Sequence, residues 1–379
     1  MWSDLPVTLA ELLASVLWFG VTLYALFGGA DFGAGFWDLI AGGAERGAPK
    51  RKLIEHSIGP VWEANHVWLI FVLVVMWTGF PPLFGAISST LWIPFTLAAF
   101  GVIARGSSFA FRKVTTDIAH QRIFGGGFAL SSVVTPFFLG AAAGAVAAGR
   151  VPPGVGRGNA LSSWWNPVSV MTGVLAVVVC AYLAAVYLTA DARRSGDPKL
   201  TAQFRLRALI AGAVAGIVSA AGLLFLHSDA PTLAHGLAHR ALPLVIVSGF
   251  AGLASLALLY LGHFLTARLT AALAVAAVLW AWAVAQYPNL LNPGLTISQA
   301  AANHSVLAAV LISLVVGALL LVPSLTCLYL LFQHNAPADS EIGTSAAPIR
   351  LTGAMEPEAL TPSTVDNLTE LYRRWRDGD

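Results

Sequence analysis

The chain of 379 residues is 57% hydrophobic and only 11% charged, with a mean hydropathy of +0.75, where an ordinary soluble domain is about a quarter charged. This balance excludes a soluble globular enzyme and indicates an integral membrane protein, while a formal net charge of +2 is too small to point to nucleic acid. Cys180 and Cys327 both lie inside apolar runs, so they read as small core residues, with neither a disulfide nor a thiolate metal site implied.

In chain order, runs long enough to cross a bilayer, roughly 20 residues each, fall at 10–40, 61–80, 87–110, 122–148, 166–190, 204–226, 241–262, 266–287 and 304–332. They are continuous rather than alternating, which predicts an all-α, polytopic membrane protein of about nine transmembrane helices and not a closed barrel. No Lys or Arg precedes the first run, and it outlasts the usual signal h-region, so it is expected to be a span and not a cleaved leader. Lys and Arg collect on the cytoplasmic side of membrane proteins. With the nine spans in place, eighteen of the 21 basic residues fall in alternate gaps and the tail. The N-terminus is therefore expected outside and the C-terminus inside, with residues 1–334 as the transmembrane domain and 335–379 as a cytoplasmic tail carrying a short helix over Val365 to Trp375.

The first run opens on Thr8-Leu9-Ala10-Glu11, a capping box in which Thr8 caps the helix and Glu11 reaches back to the free amides. Near its other end stands Gly28-Gly29-Ala30-Asp31-Phe32-Gly33-Ala34-Gly35. Gly29 and Gly33 have the spacing that lets membrane helices approach closely, and Asp31 sits between them. A Gly/Ala face alone is ordinarily packing; an acid buried in its middle shifts the reading toward function, because hydrocarbon offers it no water.

The second run begins Gly59-Pro60-Val61-Trp62-Glu63-Ala64-Asn65-His66-Val67-Trp68-Leu69. Glu63 and His66 share a helical face, and Asn65 lies beside them at the mouth of an apolar stretch. Trp62, Trp68 and Trp77 fit interfacial belt positions better than an electron path. Pro81-Pro82 marks the outer turn. The third run ends Arg105-Gly106-Ser107-Ser108-Phe109-Ala110-Phe111-Arg112-Lys113, where Arg105 either snorkels to the interface or neutralises Asp31 or Glu63 at its own depth. The first three spans are thus expected to converge on one ionisable cluster.

Later runs are blander. Pro136, Pro243 and Pro323 predict local kinks, the stretch from Gly140 to Gly149 predicts tight packing, and Ser195-Gly196-Asp197-Pro198 is a turn. His227, Asp229, His235, His239 and His304 fall in or beside outer gaps, without a standard ligand spacing, and read as surface groups. A membrane haem carrier needs His or Met ligands at depth on facing helices. None of the histidines lies mid-helix, so no haem ligated by this chain is expected.

Buried carboxyls tend to raise their pKa by desolvation, and a nearby Arg draws it back down. The cluster could therefore pass protons from the inner side. It could equally serve a proton-coupled secondary transporter, where buried carboxylates are just as expected, or merely lock three helices together. No inverted repeat of the kind transporters show is visible.

The strings Gly29 to Gly35 and Gly59 to Leu69, with Arg105, Phe109 and Arg112, closely resemble subunit II of the cytochrome bd type quinol oxidases. The specific motifs occupy roughly the first third of the chain, and the nine-span, N-out layout agrees across the rest. The resemblance implies a heterodimer in the bacterial cell (inner) membrane with a haem-bearing subunit I. That partner would carry haem b and haem d, oxidise quinol and reduce oxygen to water. This chain would stabilise subunit I and contribute to proton uptake from the cytoplasm, with Asp31 and Glu63 as proton-transfer groups, His66, Asn65 and Arg105 in support, and Gly29, Gly33, Gly35, Trp62 and Trp68 in packing. It would ligate no metal, leave room in the complex for a quinone, membrane lipid and a small accessory subunit, and bind no nucleic acid. Some members carry Asp at the position of Glu63 and Gln or Glu at that of His66, and many have an acid where Ala110 stands.

Overall fold

The structure is a computed structural model that describes residues 7–58, 62–114, 118–292 and 294–334; within these, the side chains of residues 44, 58, 62–66, 109, 112–114, 118–123, 322, 325–326 and 328–334 are not described. The helices in chain order are α1 (Leu9–Leu39), α2 (Ala44–Ile58), α3 (Trp62–Gly79), α4 (Pro81–Thr90), α5 (Trp92–Val114), α6 (Ile118–Ala147), α7 (Pro167–Arg194), α8 (Pro198–Asp229), α9 (Pro231–Ala238), α10 (Leu242–Leu261) and α11 (Phe264–Gln286). A small antiparallel hairpin of β1 (Asn289–Leu291) and β2 (Leu295–Thr296) follows, then α12 (Ile297–Ala300) and α13 (His304–His334).

Eight of the nine apolar runs fall on α1, α3, α6, α7, α8, α10, α11 and α13, and the run at 87–110 is shared between α4 and α5. Among the described residues seven helices are long and apolar enough to cross a membrane, or eight if α3 and α4, bent by 118° at their junction, form one span. That junction differs from the expected outer turn. Pro81 and Pro82 open a separate helix at its first positions, where proline's missing N–H costs nothing, and the chain breaks again at Leu91 before α5 begins at Trp92. The run placed at 87–110 is therefore the end of one helix and most of another. Pro243 likewise starts α10 instead of bending it, whereas Pro136 and Pro323 do lie inside α6 and α13. The sequence reading had no place for α2, which is too polar to span.

Local signals explain the ends. Thr8 and Glu11 form the expected reciprocal capping box, Asn166 caps α7 and Asp197 caps α8. Between these last two helices Gly196 turns the chain at φ +73°. α1 carries no basic residue in its last turn, but α2 folds back to supply the cations: Lys50 donates to the Ala41 carbonyl at 2.8 Å, and Arg51 to Gly42 at 2.6 Å and Asp38 at 3.0 Å. Positive charge at a helix C-terminus is favourable.

The chain divides into two compact units, Met1–Ser313 and Leu314–Asp379. The core of the first is built on α1, α7 and α8 with α11, around Trp37, Leu183, Phe204, Ala208 and Ala271. Close approach of α6 to α7 runs through the predicted glycines: a Cβ on Gly140 would stand 2.6 Å from the Ala176 Cβ, and one on Gly144 2.7 Å from the Ser169 Cα. The described part of the second unit is the remainder of α13, with Leu319, Leu320 and Leu321 exposed. The expected tail at 335–379 lies outside the described residues.

Candidate functional site

The acid in the glycine-rich stretch of α1 is held where α1 meets α5, α6 and α7, and glycines bring α6 and α7 against it. A Cβ on Gly33 would lie 1.8 Å from the Cys180 carbonyl oxygen of α7, and one on Gly35 2.1 Å from the Ser132 Oγ of α6. Gly29 faces Leu183, 3.3 Å from where a Cβ would stand. The Gly33 contact is backbone on backbone, so no side-chain rotation could relieve a methyl group there. Two residues on from Gly35, Trp37 donates its indole N–H to the Ala181 carbonyl at 2.7 Å.

Asp31 and Arg105 are 3% and 1% exposed, and Arg105 is the largest fully buried side chain described. The guanidinium grips the carboxylate with both arms: Nη1 donates to Oδ2 at 2.5 Å and Nη2 to Oδ1 at 2.7 Å. Nη2 also donates to the Asp31 backbone carbonyl at 3.0 Å, and Nε to the Ser132 hydroxyl at 3.0 Å. The Ser132 hydroxyl in turn donates to the Phe128 carbonyl at 2.7 Å. Aromatic rings close the faces of the guanidinium, with Phe32 at 4.9 Å and Phe128 at 4.7 Å from its central carbon. Bidentate, stacked and hydrogen-bonded on every nitrogen, this geometry is suited to Arg and not to Lys.

Arg105 thus neutralises Asp31 and does not snorkel; counted from sequence among the loop charges, it is in fact inside α5. Ser132, Phe32 and Phe128 complete its enclosure, and none of them stood out in the sequence. The available signal was the Ser131-Ser132 pair in an otherwise apolar span, because a buried hydroxyl needs a partner.

The other expected members sit in the first turn of α3, and the side chains of Trp62, Glu63, Asn65 and His66 lie outside the described residues. Backbone register still fixes their depth. α1 and α3 run antiparallel, Gly20 packing on Phe71 and Gly79 on Leu13. Eight residues back from Phe71 is Glu63, and eight on from Gly20 is Gly28, so Glu63 stands at the level of Gly28, within about 5 Å along the helix axis of Asp31 at 1.5 Å per residue. Trp68 is partly buried and meets Phe71 edge-on at 6.0 Å; Trp77 is 64% exposed and stacks on Phe84.

Among the described residues no three of His, Cys, Asp and Glu are grouped to hold a metal ion. Among the described histidine side chains, His56, His227, His235, His239, His263 and His304 are exposed.

Comparison with known proteins gives a consistent set of relatives. A family model described as cytochrome bd terminal oxidase subunit II matches residues 9–332. Cytochrome bd ubiquinol oxidase subunit 2 of Bacillus subtilis is 26% identical over 179 residues, 47% of this chain and 51% of that protein. Cytochrome bd-I ubiquinol oxidase subunit 2 of Escherichia coli K12 is 27% identical over 189 residues, 47% of this chain and 48% of that protein. The chain therefore spans about half the length of the curated relatives it matches. In three dimensions it is similar to a chain of the bd oxidase from Geobacillus thermodenitrificans, with a TM-score of 0.68, 26% identity, and coverage of 87% of this chain and 100% of that one.

Proposed function

The chain belongs to the cytochrome bd terminal oxidase subunit II family, and from that premise we propose that it is the haem-free subunit of a quinol:oxygen oxidoreductase in the bacterial cell membrane. In this reading it spans the membrane nine times with its N-terminus outside, docks on and stabilises a subunit I that carries haem b and haem d, and lines part of a proton route from the cytoplasm. The haems supply the electron transfer and oxygen chemistry; the residues of this chain hold charge and move protons. The concentration of basic residues in alternate gaps supports the orientation.

The observation that carries the mechanistic part is the enclosure of the Asp31–Arg105 pair. Both carboxylate oxygens accept from guanidinium donors, which balances the Asp31 charge inside the helix bundle. Asp31, held in the pair with Arg105, and Glu63, at nearly the same depth on α3, are the proton-transfer groups of this reading. Asn65 and His66 are the hydrogen-bonding neighbours of Glu63.

The test is an optical and kinetic one on the complex purified through this chain. A haem d band with a second polypeptide is expected; a colourless single chain would remove the oxidase reading and favour a transporter. In the same complex Glu63→Gln is expected to slow oxygen reduction about 100-fold, the scale of a lost general acid or base, with haem content unchanged. Full turnover in a properly assembled E63Q complex would reduce Glu63 to a structural part.

A further inference from the structure

A second, half-buried cation lies where α2 folds back on α1. The Arg207 guanidinium of α8 is held between Trp37 at 5.3 Å and Phe204 at 5.0 Å. Its Nη1 is buried and has no hydrogen-bond partner among the described residues. One turn earlier on the same face, the Gln203 Oε1 is also buried and unpartnered. A buried donor and a buried acceptor left open one turn apart are costly unless something binds them. Lys50 is close by: burial first, then the charges of Arg207 and Arg51, hold its amine below the ordinary lysine range.

A single water would satisfy one donor and one acceptor but leave the guanidinium charge without a counter-ion, and no acid is paired with Arg207 among the described residues. The face itself indicates what kind of anion fits. Gln203, Arg207, Ile210, Val214 and Ile217 follow at the helical spacing of four, three, four and three, and Ile210, Val214 and Ile217 are 55%, 39% and 68% exposed. A polar pair at the basic end is thus continued by an open hydrocarbon stripe along α8.

We propose that this corner binds the headgroup of one phospholipid, its phosphodiester accepting from Arg207 with Lys50 as a second cation, a headgroup hydroxyl or ammonium donating to Gln203, and an acyl chain lying along Ile210, Val214 and Ile217. Basic pockets beside membrane helices recognise phosphate headgroups in this way.

The experiment is to purify the complex through this chain in a phosphorus-free detergent and measure lipid phosphorus per polypeptide. Wild type is expected to keep about one phospholipid more than R207Q, and R205Q, at a neighbouring Arg that donates to the Tyr260 carbonyl, to keep the wild-type amount. Equal phosphorus in wild type and R207Q overturns the proposal. Should R207Q fail to assemble, the thermal midpoint of delipidated wild type decides: it is expected to rise in micelles containing phosphatidylglycerol and not with the matching diacylglycerol. Equal midpoints with the two lipids, or an equal rise with inorganic phosphate alone, also overturn it, the latter by assigning the corner to a free anion.

Discussion

Asp31 with Arg105 and Asp191 with Arg194 are the same chemical pair in two settings, and the contrast shows where this protein is vulnerable. In both a guanidinium nitrogen stands 2.5 Å from a carboxylate oxygen, but the Arg and Asp side chains are 2% and 1% exposed in the first, 64% and 24% in the second. Water can replace either partner in the exposed pair. It cannot reach the buried one, where four hydrogen bonds and two rings enclose the guanidinium and make its charge tolerable. The buried pair is accordingly less a source of stability than a commitment: removing both charges is mild, and removing one strands the other.

The largest effect should come from breaking the buried pair on one side. R105M leaves the Asp31 carboxylate in an apolar cage and is expected to cost about 3–5 kcal/mol, read as loss of assembled protein and of thermal midpoint in detergent. The double variant D31L/R105M should regain most of that loss, and failure of the double to recover would mean that the pair specifies the helix arrangement itself. Next comes the glycine that admits α1 to the pair. Gly33→Ala places a methyl on the Cys180 carbonyl and should cost roughly 1–3 kcal/mol as overpacking does. Gly249→Ala in α10, where a Cβ meets nothing within 4 Å, should be neutral or stabilise by up to about 1 kcal/mol through helix propensity. Equal midpoints for the two alanine variants would undo the close-approach account. The smallest effect belongs to the exposed pair: R194Q is expected to change stability by about 0–1 kcal/mol, also because Arg268 donates to Asp191 at 2.6 Å from α11 and remains. A loss as large as that of R105M would erase the distinction between the settings.

The spans were legible because a bilayer leaves a one-dimensional record: a run of about 20 apolar residues is required whatever the neighbours do. The capping box at Thr8 and the turn at Gly196 were legible for the same reason, since each is satisfied within a few residues of itself. The Pro81-Pro82 segment was misjudged because proline both ends one helix and opens the next, and only the following residues' contacts decide whether a helix grows. Which acid Arg105 would meet could not be read: Asp31 and Glu63 were equivalent candidates in sequence, 74 and 42 positions away.

What the chain's order of residues determined alone is an apolar, helical, membrane-spanning protein with a family signature in its first third. What tertiary structure decided is the pairing. Close contact of Gly33 with the α7 backbone and of Gly35 with the Ser132 side chain draws α1 against α7 and α6, and Ser132, Phe32 and Phe128, unremarkable in sequence, then enclose Arg105 on Asp31. The physical reason is that hydrophobicity acts residue by residue and accumulates along a chain, whereas the cost of a buried charge is settled only by the partners that three-dimensional packing brings to it.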